Sequence, residues 1–184
     1  MGWFDFVLLI GIGLFFGYGL WIYNEFIKLG NKVKEAFATM DVYLKKRWDL
    51  VPNLVEVVKA YAAHEKSTLE SVISIRNEVY EQMTVEDKIT SDVELSTGIA
   101  KLMLLAESYP DLKANQNFLD LSANLAKIED EIANSRKYFN AVVRMMNNKV
   151  EMFPSNIFAS IFRYRTIKMF EADASQRENV QVDL

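Results

Sequence analysis

No charged side chain interrupts the chain between Asp5 and Glu25, and every position from Phe6 to Tyr23 is apolar, aromatic or glycine. At about 1.5 Å per residue this run matches the ~30 Å hydrocarbon core of a bilayer, so it predicts a transmembrane helix. A cleaved signal peptide is the competing reading. Against it, no basic residue precedes the run, the run outlasts a usual signal core, and it ends in WIYNEF without a small-residue cleavage pattern. Trp3 and Phe4 at one end and Trp21 and Tyr23 at the other fit an aromatic belt.

Beyond the run the pattern becomes that of amphipathic helices. Val33, Phe37, Met40, Leu44 and Trp48 recur at three-four spacing, and the stripe continues through Val51, Val55, Val58, Ala62, Leu69, Val72 and Val79, with Glu65 and Arg76 as polar intruders. Pro52 lacks an N–H, so it either kinks one very long helix or sits in the first turn of a new one capped by Asp49. Between Glu81 and Thr97 the acids Glu81, Glu86, Asp87, Asp92 and Glu94 outnumber Lys88, which predicts an acidic loop with frayed helix ends. A helix over about Val93–Ser108 is expected to stop at Tyr109-Pro110, with Asp111 able to cap the next.

That next helix has the strongest periodicity: Phe118, Leu121, Leu125, Ile128, Ile132, Ser135, Phe139, Val142 and Met146 alternate three and four apart. So long a seam needs partners of comparable length. An antiparallel bundle supplies them within one chain, whereas a two-chain coiled coil would leave Val143 and Met145 bare. After Phe153-Pro154 a last helix is expected with Ser155 as cap, carrying Ile157, Phe158, Ile161, Phe162, Ile167 and Phe170. Its Arg163, Arg165 and Lys168 do not gather on one side of a helical wheel, so docking onto the bundle competes with lipid contact. The expected fold is all-α, an N-terminal transmembrane helix followed by an antiparallel bundle of long helices. The expected division is an anchor at 1–25, a helical bundle at 26–171 and a flexible polar tail at 172–184.

Composition narrows the chemistry. The chain lacks cysteine, which excludes disulfides, thiolate metal sites and cysteine nucleophiles. A net charge of −4 offers no broad basic face for nucleic acid. His64 is the single histidine, so a two-histidine metal site within one chain is impossible, and its neighbours in AAHEKST point in different directions on a helix. No catalytic, cofactor or metal residues are assigned. His64, Glu65, Arg76, Glu129, Arg136 and Asn140 are candidates for a polar network between helices, either a buried set that fixes register or a pocket for a small ligand or reaction.

The glycines of GIGLFFGYG do not read as a phosphate cradle, because the spacing is G-x-G-x-x-x-G and the stretch lies within the apolar run. Gly13 and Gly17 form instead a small-xxx-small notch for helix packing, extended by Gly11 and Gly19, which predicts self-association. Lys28, Lys32 and Lys34 follow the span and no Lys or Arg precedes it, so the bundle is expected in the cytoplasm, on a single-pass inner (plasma) membrane protein with its N-terminus outside. The expected partners are the lipid bilayer, further copies through anchor or bundle, and unidentified proteins.

Two long stretches, LKKRWDLVPNLVEVVKAYAAHEKSTLESVISIRNEV and ESYPDLKANQNFLDLSANLAKIEDEIANSRKYFNAVVRMMNNKVEMFPSNIFA, resemble the LemA family. The resemblance runs from about Asn24 to Ala159 and includes Asp49, Pro52-Asn53, His64-Glu65, Tyr109 to Lys113, Arg136, Tyr138, Asn140 and Phe153 to Ser155. It implies a bacterial, membrane-anchored protein with a four-helix up-and-down core, and it implies no reaction. Where the family tends to show a Gly-Phe pair near the end, this chain reads Phe162-Arg163-Tyr164.

Overall fold

The computed structural model describes residues 2–76 and 79–170, and the tail expected at 172–184 lies outside the described residues. In chain order the elements are α1 (Trp3–Tyr61), α2 (Lys66–Ser74), a 3₁₀ turn at Tyr80–Gln82, α3 (Val85–Glu107), α4 (Pro110–Lys113), α5 (Gln116–Glu151) and α6 (Ser155–Ile161). The fold is all-α, with one N-terminal helix of membrane length and a multi-helix bundle.

Pro52 lies inside α1, so the apolar run and the first bundle stripe form one helix of 59 residues. Asp49 does not cap a new helix; Lys45 holds its carboxylate at 2.6 Å. The proline deletes a backbone hydrogen bond, but Leu44, Trp48, Val51, Val55 and Val58 on either side of it are all buried. The stripe does not pass unbroken into α2. The chain turns at 62–65, where the Glu65 N–H donates to the Ala62 carbonyl at 3.1 Å, and α2 then buries Leu69 and Val72.

From Val85 onward the acidic stretch is helical, which corrects the loop expected between Glu81 and Thr97. α3 starts at Val85 because Thr84 and Asp87 close a capping box: Thr84 Oγ1 accepts from the Asp87 N–H at 3.2 Å and Asp87 Oδ2 from the Thr84 N–H at 3.1 Å. The Thr84 hydroxyl, which donates to Asp87 Oδ2 at 2.6 Å, and then the Thr84 N–H hold the Asp87 carboxyl below its ordinary range. Tyr109-Pro110 does end α3, but Asp111 caps nothing; Asn115 Oδ1 accepts the Phe118 N–H at 3.1 Å and begins α5. Along α5 the seam is as expected, with Phe118, Leu125, Ile132, Ser135, Phe139, Val142 and Met146 buried.

The last helix is shorter than the periodicity implied. α6 ends at Ile161 and residues 164–170 form no helix. Its N-cap is Pro154, after a cis Phe153–Pro154 bond, and the Ser155 hydroxyl donates to the Met152 carbonyl at 2.8 Å instead of capping. At its other end Tyr164 N–H reaches the Ala159 carbonyl at 2.9 Å and Arg163 N–H the Ser160 carbonyl at 3.2 Å, a Schellman closure that places Arg163 at φ 60. A left-handed non-glycine residue costs roughly 1–2 kcal/mol. A glycine would remove that strain while returning about 0.4–1 kcal/mol of unfolded-chain entropy. Arg163→Gly is therefore expected to stabilise the protein by up to about 1 kcal/mol, read as a raised thermal midpoint in detergent; a lowered midpoint would refute the strain argument.

The chain divides into two compact units, one of Met1–Phe37 with Arg136–Leu184 and the other of Ala38–Ser135, and α1 and α5 contribute to both. In the first, Ile22, Phe26 and Leu29 of α1 pack with Met146 of α5 and Phe158 and Ala159 of α6. Gly19 belongs to this contact and not to an open notch: a Cβ there would stand 2.7 Å from the Phe158 ring. In the second, α2 packs on α3, and Gly98 permits the approach, since a Cβ on it would lie 3.1 Å from Val72.

Candidate functional site

The interior of the second unit is polar at its centre. Arg47 of α1 is 1% exposed and sits on the core stripe between Leu44 and Val51. Its Nη1 pairs with the Asp92 carboxylate at 2.9 Å and donates to Ser96 Oγ, while Nη2 pairs with Glu129 of α5. Asp92 is 4% exposed and Glu129 about half-exposed. One guanidinium thereby joins α1, α3 and α5 and pairs with two carboxylates.

Nearer the surface, Asp41 accepts a hydrogen bond from the Tyr80 hydroxyl at 2.7 Å and pairs with Lys88 at 3.0 Å. The Lys88 ammonium lies 4.4 Å from the Tyr80 ring centroid and the Trp48 ring 5.4 Å from it. Burial first, then the Asp41 carboxylate, raise the Tyr80 phenol well above its ordinary 10.0. At neutral pH it is a donor and not a base. Asp41, Lys45, Lys46, Tyr80, Glu81 and Lys88 line an open cleft of ≈ 430 Å³, where Lys45 is paired with Asp49 and Glu81. A second open cleft of ≈ 340 Å³ lies between Asn53 and Glu56 of α1 and Asn117, Asp120 and Asn124 of α5. Among the described residues no group of three or more metal-ligating side chains converges.

The first unit contains a different arrangement. Two α5 amides bind the backbone of the extended 164–170 segment: Asn147 donates to the Ile167 carbonyl and accepts its N–H, both at 2.8 Å, and Asn140 does the same for Phe170 at 2.9 Å. Ile167 and Phe170 pack beside Ala36, Phe139, Val142 and Val143.

The sequence-expected polar residues take several positions. His64 is exposed in the 62–65 turn, and Glu65 is half-buried before α2 without capping it. Arg76 lies 5.3 Å from the Trp48 ring, and Arg136 5.7 Å from the Phe170 ring. Glu129 enters a network, with Arg47, Asp92 and Ser96, while Asn140 holds the extended segment. Arg47, Asp92 and Asn147 were not anticipated. The available signal was phase: Arg47 is in step with Leu44 and Val51, Asp92 with Leu95, and Asn147 is seven residues after Asn140 on one face.

The chain is 28% identical over 182 residues to protein LemA of Metamycoplasma hominis, covering 97% of this chain and 80% of that one. It is 22% identical over 175 residues to magnetosome protein MamQ 2 of Paramagnetospirillum magneticum and over 174 residues to magnetosome protein MamQ of Magnetospirillum gryphiswaldense. These matches take in 81% and 80% of this chain, but only 64% of either relative's length. The sequence model of the LemA family matches residues 36–184, which include the Arg47 network and both amides that hold the extended segment, and the chain belongs to the LemA family.

Proposed function

We propose that this protein is a membrane-anchored helical scaffold that acts by binding protein partners, itself included, and that it carries out no catalysis. Residues 1–25 are the anchor and 26–171 the bundle, in which α1, α2, α3 and α5 make an up-and-down four-helix core. The observation that carries the reading is the open surface of the anchor. Among the described residues, no atom outside the helix's own nearby backbone comes within 4 Å of where a Cβ on Gly11, Gly13 or Gly17 would stand, on a stretch whose most apolar window is 11% buried. Such a surface lets two backbones approach in lipid, where no hydrophobic effect drives helices together. The alternative, a small-ligand carrier or enzyme using a polar pocket between helices, draws less support, since Glu129 is engaged by Arg47 and Arg76 rests on Trp48.

Replacing Gly13 and Gly17 by Leu fills the notch. The expected result is a loss of crosslinked or detergent-stable oligomers of the full-length protein with helical content unchanged. Unaltered oligomers would remove the anchor from the assembly.

The bundle is placed in the cytoplasm on the strength of Lys28, Lys32 and Lys34. Protease added outside intact cells is then expected to spare a C-terminal tag, and digestion of the tag would reverse the orientation.

A further inference from the structure

Met152 to Phe162, eleven consecutive residues, carry no charge between Glu151 and Arg163. The stretch comprises the turn after α5, all of α6 and its C-cap. It is too short to span a bilayer, and a run of this length suits a buried helix or a re-entrant segment. It is not a buried helix throughout: Phe153 is 79% exposed, Met152 and Ile161 61%, and Ile157 44%.

The neighbours of α6 distinguish the two. The Phe158 ring lies 5.2 Å from Phe15 and 5.6 Å from Tyr18 and covers Gly19, and the Phe162 ring lies 5.1 Å from Tyr23. These are all residues of the uncharged run in α1. Phe15 and Gly19 precede Asn24, the end of that run, by nine and five residues, or roughly 8–14 Å along the axis. Whatever medium surrounds Phe15 to Tyr23 therefore also meets Met152, Phe153, Ile157 and Ile161.

We propose that Met152–Phe162 is a re-entrant membrane element, entering the hydrocarbon beside the anchor from the bundle side and exposing Met152, Phe153, Ile157 and Ile161 to lipid acyl chains. Non-helical backbone at that depth needs its polar groups satisfied within the protein. Here the Met152 carbonyl accepts from both Ser155 Oγ at 2.8 Å and the Asn156 N–H at 2.9 Å, Pro154 has no N–H to satisfy, and the Schellman closure engages the Ser160 and Ala159 carbonyls. Charge returns where an interface is expected. Lys149 lies 4.7 Å over the Trp21 ring on the way in, and Arg163, Arg165 and Lys168 follow on the way out. The inference rests on the reading of the first part of α1 as a membrane span, and the test separates the two.

The chain has no cysteine, so single-cysteine variants each carry one nitroxide. Full-length Leu14→Cys, Val42→Cys, Phe153→Cys and Ile157→Cys proteins are reconstituted in phosphatidylcholine–phosphatidylglycerol vesicles. Relaxation of each label by oxygen, which concentrates in lipid, is compared with relaxation by a water-soluble nickel chelate. The native side chains are 70%, 54%, 79% and 44% exposed, so the substitutions open no cavity. The expected oxygen-to-nickel ratio at positions 153 and 157 matches that at 14 and exceeds that at 42 several-fold. Nickel access at 153 and 157 equal to that at 42, with 14 in lipid, overturns the re-entrant element and leaves the anchor standing. Nickel access at 14 as well overturns both. Weak relaxation by either agent with dipolar broadening between labels places a second copy on the tip and also overturns it.

Discussion

Arg47→Ala is expected to lower the unfolding free energy by about 3–5 kcal/mol, the usual result of removing one partner from a buried ion pair. Asp92, 4% exposed, would keep its carboxylate inside the bundle after losing the guanidinium 2.9 Å away. Glu129 would lose a partner too, but it is 52% exposed and can be hydrated. Glu129→Gln is accordingly expected to cost no more than about 1 kcal/mol, as for a solvent-screened pair. Replacing Arg47 by Met together with Asp92 by Leu removes both buried charges and should recover most of the loss, because well-packed apolar groups substitute for buried pairs at little net cost. Denaturant unfolding of the detergent-solubilised protein, followed by circular dichroism, orders the variants. If Arg47→Ala and Glu129→Gln were equally mild, the guanidinium would not be holding the three helices.

That network also explains which parts of the fold could be read from the sequence. The seam of α5 and the stripe from Met40 to Val58 were legible because their inward residues are apolar and recur at helical spacing. The first half of α3 was not. Its inward or half-buried positions include the apolar Ile89 and Leu95 but also the polar Lys88, Ser91, Asp92 and Ser96, of which Lys88 meets Asp41 and Asp92 and Ser96 meet Arg47 of α1. A pattern search that scores only apolar residues reads such a helix as a loop. Thr84 and Asp87 did mark its start, with Asp in place of the commoner Glu or Gln of a capping box. At the anchor, the glycines are alike in sequence but differ in surroundings, since Phe158 covers Gly19 while Gly13 and Gly17 stay open. Only tertiary packing makes that distinction.

The segment after α6 failed for the opposite reason: its apolar spacing suits a helix, yet its backbone bonds to side chains. Ile167 and Phe170 are three residues apart, roughly 10 Å in an extended chain. Asn140 and Asn147 are seven apart, roughly 10.5 Å and nearly the same direction on a helix. The two repeats agree, so each amide meets one residue's N–H and C=O, and the apolar side chains reach the α5 surface at the same time. Replacing both asparagines by Leu deletes four hydrogen bonds and adds no compensating partner. At about 0.5–1.5 kcal/mol each the loss is about 2–6 kcal/mol, enough to release a short segment. Release exposes the Ile167 and Phe170 amides, so the expected result is a loss of hydrogen-exchange protection at those positions, and protease cleavage within 164–170, in the full-length protein. Asn→Asp at both positions keeps the acceptors and removes the donors, and protection between wild type and Leu is expected. Protection unchanged in the double Leu variant would mean that packing against Phe139, Val142 and Val143 holds the segment unaided, and that the amide register is incidental to it.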